Sequence, residues 1–169
     1  AFGYGVSMTP LQTLTFYNAV ANNGEMVKPS FISSIGAFGE DPVYTINREV
    51  IMPSICSNET LISVQKMLNN VVSKPWGTAN NIYDKNIRIA GKTGTSQIDY
   101  TSDETQYVSS FVGYFPADNP KYSAIVVVNK PNKSKGFYGG LVAAPVFKKV
   151  AQKIITGIPI EIEISKKDI

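Results

Sequence analysis

Five consecutive residues, Lys92-Thr93-Gly94-Thr95-Ser96, carry the chemistry most easily read from this chain. They follow a short apolar run, Ile87-Arg88-Ile89-Ala90-Gly91, that predicts a strand. A lysine, two threonines and a glycine on one strand offer a cation, hydroxyl donors and a backbone that another molecule can touch. Those parts suit a ligand that carries a carboxylate beside a reacting carbonyl. The cation and hydroxyls answer the carboxylate, and backbone N–H groups answer an oxyanion as it develops. Gly94 removes the side chain that would block that approach. A regular strand points Lys92 and Gly94 to one side and Thr93 and Thr95 to the other. A site using all of them therefore needs a twist at Gly94, or approach from two directions. The plainer reading of the same residues is an edge strand with a solvated lysine and a glycine at a bulge.

Ala90-Gly91-Lys92-Thr93 also resembles the end of a phosphate-binding loop. That motif needs a glycine five positions before Gly91, where Asn86 stands, and a helix after the Lys-Thr, where Gly94 and a β-prone run follow. The nucleotide reading is therefore set aside.

Composition narrows the chemistry further. The chain has 169 residues, 43% hydrophobic and 17% charged, which suits one globular domain with a core. Its net charge of +3 is too small to imply nucleic-acid binding. It contains no histidine, which removes Ser-His-Asp and Cys-His catalysis and most zinc sites. No metal or cofactor is expected, and proton transfer falls to Lys, Tyr, Asp or Glu. The single cysteine, Cys56, permits no internal disulfide and reads as a small buried hydrophobe. No apolar run reaches the roughly 18 residues of a membrane span. The opening residues, Ala1-Phe2-Gly3-Tyr4-Gly5, read like the middle of a protein, so the chain is expected to be a fragment.

The elements that must position the motif follow from periodicity and caps. Thr9-Pro10 opens a helix with Leu11, Leu14, Tyr17, Val20 and Ala21 on one face, closed by Asn22-Asn23-Gly24 with the glycine at C′. An extended stretch from Met26 to Ile35 and a region of turns and short strands to Pro53 follow. Leu61, Val64, Leu68, Val71 and Val72, with Met67 beside them, predict a second helix capped by Ser57 or Asn58 and ended by Pro75-Trp76-Gly77. Gln97 to Gln106 reads as a loop. Tyr107–Phe115 and Tyr122–Val128 read as a hairpin, the latter apolar enough to be a central strand. With the Lys92 strand they make three antiparallel neighbours. A last helix spans about Val142–Ile155 with Val146, Phe147, Val150 and Ile154 inward and Pro145 in its first turn. Ile158–Ile164 alternates apolar and acidic residues and reads as a strand or exit linker. The fold class is α/β of the α+β type, an antiparallel sheet packed with helices.

These segments together resemble the C-terminal half of the transpeptidase domain of class B penicillin-binding proteins. Lys92-Thr93-Gly94-Thr95 is similar to the third signature of that serine acyl-transferase superfamily. Gly5-Val-Ser-Met-Thr9-Pro10-Leu11-Gln12, Ala21-Asn22-Asn23-Gly24 and Gly77-Thr78-Ala79 also fit, as do Ser110-Phe111-Val112-Gly113-Tyr114-Phe115-Pro116-Ala117 and Gly139-Gly140 with Ala143-Ala144-Pro145-Val146-Phe147. The likeness runs from Phe2 to about Ile155. Ser109-Ser110-Phe111 and the Ala-Ala-Pro-Val-Phe segment resemble class B, and most of all its division-type members. The resemblance implies a partial penicillin-binding, β-lactamase-like fold over residues 1–157, with 158–169 a tail or linker.

It also implies roles. Lys92 acts electrostatically on the proton network of the site. Thr93 and Thr95 hold the carboxylate of a peptidoglycan stem peptide or a β-lactam. The Thr95 N–H supplies half of the oxyanion hole, Gly94 lets the ligand approach, and Ser96 shapes the strand beside it. The implied reaction is D,D-transpeptidation through an acyl-serine, in a parent anchored in the cytoplasmic membrane with this domain outside it, working with divisome proteins. An exposed core face in the fragment implies self-association.

The family also uses an upstream Ser-x-x-Lys and Ser-x-Asn. Ser63-Val64-Gln65-Lys66 fits the first on paper, but it lies one helix and one loop before Lys92, inside an amphipathic helix whose serines and lysines read as solvated. Ser54-Ile55-Cys56 precedes Ser63, which is the wrong order for the second. A catalytically dead binding module of the same fold is the alternative, and Ser-x-x-Lys and Ser-x-Asn in the sequence upstream of Ala1 would favour the enzyme. The 169-residue chain is expected to form no covalent adduct with a labelled penicillin; an intact-mass increase mapping to Ser63 would contradict this.

Overall fold

The computed structural model describes residues 6–98 and 105–157. Helix α1, Pro10–Ala21, starts at a capping box. The Thr9 hydroxyl accepts from the Gln12 N–H at 3.2 Å, and the Gln12 side chain accepts from the Thr9 N–H at 2.8 Å. At its other end Asn23, not Gly24, occupies C′ in the left-handed region (φ 54°), with Gly24 behind it at φ 87°. The Gly24 N–H donates to Ala19 O at 2.8 Å, which closes a Schellman turn. Asparagine tolerates that conformation, so the expected glycine sits one position later. The apolar face also differs from the sequence expectation: Ala19 and Val20 are buried, while Leu11 is 40% exposed.

Two short antiparallel pairs form an arm. Strands β1 (Met26–Val27) and β4 (Val50–Met52) pair, as do β2 (Ser34–Ile35) and β3 (Tyr44–Thr45). Helix α2, Asn58–Ser73, is capped by Ser57, whose hydroxyl accepts from the Thr60 N–H. It buries Leu61, Leu68 and Val72 and leaves Met67 exposed.

The main sheet has three antiparallel strands in the order β5 (Ala90–Ile98), β6 (Gln106–Phe115), β7 (Tyr122–Asn129). The strand carrying Lys92 begins at Ala90, after the buried Ile87 and Ile89. The central position belongs to β6, and β7 lies at the edge, contrary to the expectation from its apolarity. β6 is buried at Ser109 and continuously from Phe111 to Phe115, whereas Tyr122 and Val127 of β7 are exposed. An apolar run covered by a helix on one face looks like a central strand in sequence. Gln97, Ile98 and Gln106, expected in a loop, belong to β5 and β6, while residues 1–5, 99–104 and 158–169 lie outside the described residues.

Alternation along β6 divides the core in two. Phe111 and Phe115 face α4, Ala144–Thr156, which follows the four-residue α3, Gly139–Val142. Phe147 meets both rings edge-on, with centroids at 4.9 and 5.7 Å. Tyr114 and Ala90 face the other way, against Val20, Leu61 and Leu68 of α1 and α2. The inward face of α4 is Ala144, Phe147 and Ala151; Val146 and Ile154, expected inward, are 44% and 41% exposed. Small alanines one turn either side of Phe147 let the helix approach closely enough to seat the ring, and that contact sets the helical phase.

Phe147→Ala is expected to cost about 3–5 kcal/mol of stability by urea unfolding, and Val146→Ala less than about 1 kcal/mol. Burial pushes the Tyr114 phenol up from 10.0 to about 12. Below pH 10 it is protonated in folded and unfolded chains alike. Between 10 and about 12 only the unfolded chain releases the proton, so stability falls as pH rises through that window. A phenolate absorbance titration of the folded chain compared with Tyr114→Phe should show one late-titrating tyrosine fewer in the variant.

Candidate active site

The turn after α2 places the first wall of the site. The last carbonyls of that helix need partners. The Ala79 N–H donates to Val71 O at 3.1 Å, and the Asn80 side-chain amide donates to Val72 O at 3.0 Å. Held this way, the turn sets the Thr78 hydroxyl 2.8 Å from that of Thr93 on β5. The Asn81 amide reaches across to Gly140 O at 2.9 Å.

The second wall is the strap of residues 133–141. The Gly139 N–H donates to the Thr95 hydroxyl oxygen at 3.0 Å. Two glycines make this approach possible. A Cβ on Gly139 would lie 2.3 Å from Ser110 O and 2.5 Å from Gly94 O, and one on Gly140 would lie 2.2 Å from Thr78 O. The fully buried Ser109 donates to Phe137 O, and the Phe137 ring stacks on Tyr107 with centroids 4.1 Å apart. Between the walls lies an open cavity of about 430 Å³, lined by Thr78, Thr93, Thr95, Tyr138 and the glycine pair.

The pairing of β5 with β6 carries no register shift from Ala90 to Ile98. Lys92 therefore lies on the opposite face from Thr93 and Thr95. Its ammonium donates to Thr93 O at 2.7 Å, and the side chain is exposed. Gly94 shares the lysine's face, where an added Cβ would lie 2.5 Å from the Ser110 hydroxyl. Ser96 is half-buried and donates to Val108 O at 3.4 Å. Lysine and threonines meet only along the outer edge of β5, which has no strand partner among the described residues. Ser63 is elsewhere, exposed on α2, its hydroxyl bonded to Glu59 O at 2.9 Å. Ser54 donates to Cys56 O within its own turn, and Cys56 is half-buried beside the α1–α2 core. Gly139-Gly140, legible in the sequence only as part of the family likeness, border Thr95 in the structure. Thr78 and Ser109 were legible only as parts of Gly77-Thr78-Ala79 and Ser109-Ser110-Phe111, with no role in the site, and Asn81 not at all, because their partners are 15 to 59 residues away.

The model of the penicillin-binding protein transpeptidase domain matches residues 1–152. The chain belongs to the penicillin-binding protein transpeptidase family. It is 32% identical over 157 residues to the peptidoglycan D,D-transpeptidase FtsI of Buchnera aphidicola, covering 92% of this chain and 26% of that protein. It is 35% identical over 152 residues to the stage V sporulation protein D of Bacillus subtilis, covering 86% and 22%. The transpeptidase domain of penicillin-binding protein 3 from Burkholderia pseudomallei superposes with a TM-score of 0.66 at 30% identity, over 95% of this chain and 46% of that one. The chain thus spans about a quarter of the length of the curated relatives it matches. No helix among the described residues is long and apolar enough to cross a membrane.

Proposed function

We propose that this chain supplies one wall of the acyl-transfer site of a peptidoglycan D,D-transpeptidase, with residues 1–157 the C-terminal part of the domain and 158–169 a tail. The observation that carries the reading is the pair of threonine hydroxyls, Thr93 and Thr95, opening into one cavity beside the free edge of β5. Hydroxyls there meet a carboxylate, and the edge offers backbone N–H groups to a carbonyl.

In this reading a serine on a segment of the parent beyond this chain attacks the D-Ala-D-Ala carbonyl carbon of a stem peptide. The scissile C–N bond breaks, the leaving D-Ala amine takes the proton, and an acyl-serine remains. An amine of a second stem then attacks the ester, and the serine recovers its proton. The Thr95 N–H holds half of the oxyanion, and Thr93 and Thr95 hold the terminal carboxylate. Lys92 turns its ammonium from Thr93 O toward the serine's proton network. Gly94 leaves the strand backbone open, and Ser96 steadies the strand through Val108. A β-lactam enters as the same acyl donor. The parent is membrane-anchored with this domain outside and works with division proteins. Support comes from the peptidoglycan D,D-transpeptidase FtsI among its matches. In the isolated chain, self-association would cover the exposed Leu11 and Phe16 of α1.

The test is acylation of the full-length parent by a labelled penicillin. Lys92→Ala is expected to slow acylation by roughly a hundredfold or more, without loss of fold by circular dichroism. Unchanged acylation in that variant would remove Lys92, and with it this wall, from the reaction.

A further inference from the structure

Thr95 and Ser109 face each other as a cross-strand pair between β5 and β6. Both side chains grip the same strap, two residues apart. The Ser109 hydroxyl donates to Phe137 O, and the Thr95 hydroxyl oxygen accepts from the Gly139 N–H. A hydroxyl has one proton and two lone pairs. The Gly139 N–H takes one lone pair of the Thr95 oxygen and fixes the direction of the hydroxyl, whose proton is left to point into the cavity. The Thr78–Thr93 pair shares one hydrogen bond at 2.8 Å, whichever oxygen donates. Two hydroxyls carry two protons, so one of that pair is also left over. The cavity therefore presents two donors, one from Thr95 and one from the Thr78–Thr93 pair, which bond a two-oxygen anion more strongly than a neutral ester.

This arrangement holds only while the strap stays against β5. Ser109 is fully buried and does not line the cavity. Its contact with Phe137 fixes the strap two residues before Gly139, and Asn81 fixes it one residue after, at Gly140 O. We propose that Ser109, assisted by Asn81, is a positioning residue for carboxylate selection: by holding Gly139 against Thr95 it aims the Thr95 O–H into the cavity. The inference rests on the acyl-transfer reading above and adds to it what sets ligand charge preference. Without the Ser109 hydroxyl the strap loosens, the Gly139 N–H leaves Thr95, and the Thr95 O–H loses the orientation that aims it into the cavity. Recognition of the anion weakens, while the chemistry at the carbonyl does not.

The experiment measures second-order acylation of the full-length parent by a penicillin and by its methyl ester. The unaltered protein is expected to favour the free acid. Ser109→Ala is expected to lower the free-acid rate about tenfold or more, the scale of one hydrogen bond to a charged group, and to leave the ester rate nearly unchanged. Asn81→Ala, at an exposed position, is expected to narrow the same ratio, and it carries the test if Ser109→Ala does not fold. A role in stability alone lowers both rates equally; an unchanged acid-to-ester ratio in a folded Ser109→Ala, or in Asn81→Ala where Ser109→Ala does not fold, overturns the inference and leaves the acyl-transfer reading standing. Equal rates for acid and ester in the unaltered protein overturn it too. Absence of acylation by either compound overturns the reading beneath it and the inference together.

Discussion

The pairing of β5 with β6 sets where every group of the site can be. Nine successive pairs, from Ala90 opposite Tyr114 to Ile98 opposite Gln106, run without a bulge. Strict alternation then places Thr93 and Thr95 on the face of the strap and Lys92 on the face of α1 and α2. The register is locked because β6 is buried on both sides. A slip of one residue would turn Phe111 and Phe115 away from Phe147 and turn Tyr114 away from Val20, Leu61 and Leu68. Hydrophobic packing far from the cavity thus decides which polar groups look into it. The common ground between lysine and threonines is the strand's outer edge, so any ligand that uses both must lie along that edge.

The walls themselves are built from backbone groups that need partners. The turn after α2 exists in its observed form because the last carbonyls of that helix are satisfied by Ala79 N–H and the Asn80 amide. The strap is held by Ser109, Thr95 and Asn81, each from a different element. The hydroxyls of the site are consequently oriented before any ligand arrives, which lowers the ordering cost of binding. The arm of residues 26–52 is held by its own two strand pairs and by the Lys28–Glu49 and Arg48–Glu25 ion pairs. Phe31, Phe38 and Val43 stand 88%, 108% and 87% exposed there, so its apolar residues do not make it part of the core.

Local signals were legible where one segment contains its own cause. Thr9 with Gln12, and Ser57 ahead of an amphipathic run, mark helix starts that the structure has, because a cap and its partner lie within one turn. The three antiparallel strands were legible for the same reason, each being a short β-prone run between turn residues. Apolarity did not tell a central strand from an edge strand, since it reports burial and not hydrogen-bonded neighbours, and so β7 was read as central although it lies at the edge. The phase of α4 was missed because Ala144 and Ala151 bury by being small, which a hydrophobicity pattern undervalues against Val146 and Ile154.

By itself the sequence determined the helices, the three strands, the family and the five-residue motif, all properties of contiguous residues. It also determined that Lys92 and the threonines fall on opposite faces, provided the strand is regular. Only the tertiary structure decided that the strand is regular, that Thr78, Gly139 and Thr95 share one cavity, and that the buried Ser109 reaches Phe137. Those facts depend on hydrogen bonds between residues 15 to 59 positions apart. Such bonds form only once the packed sheet brings their partners to within about 3 Å, and no local pattern in the chain encodes that meeting.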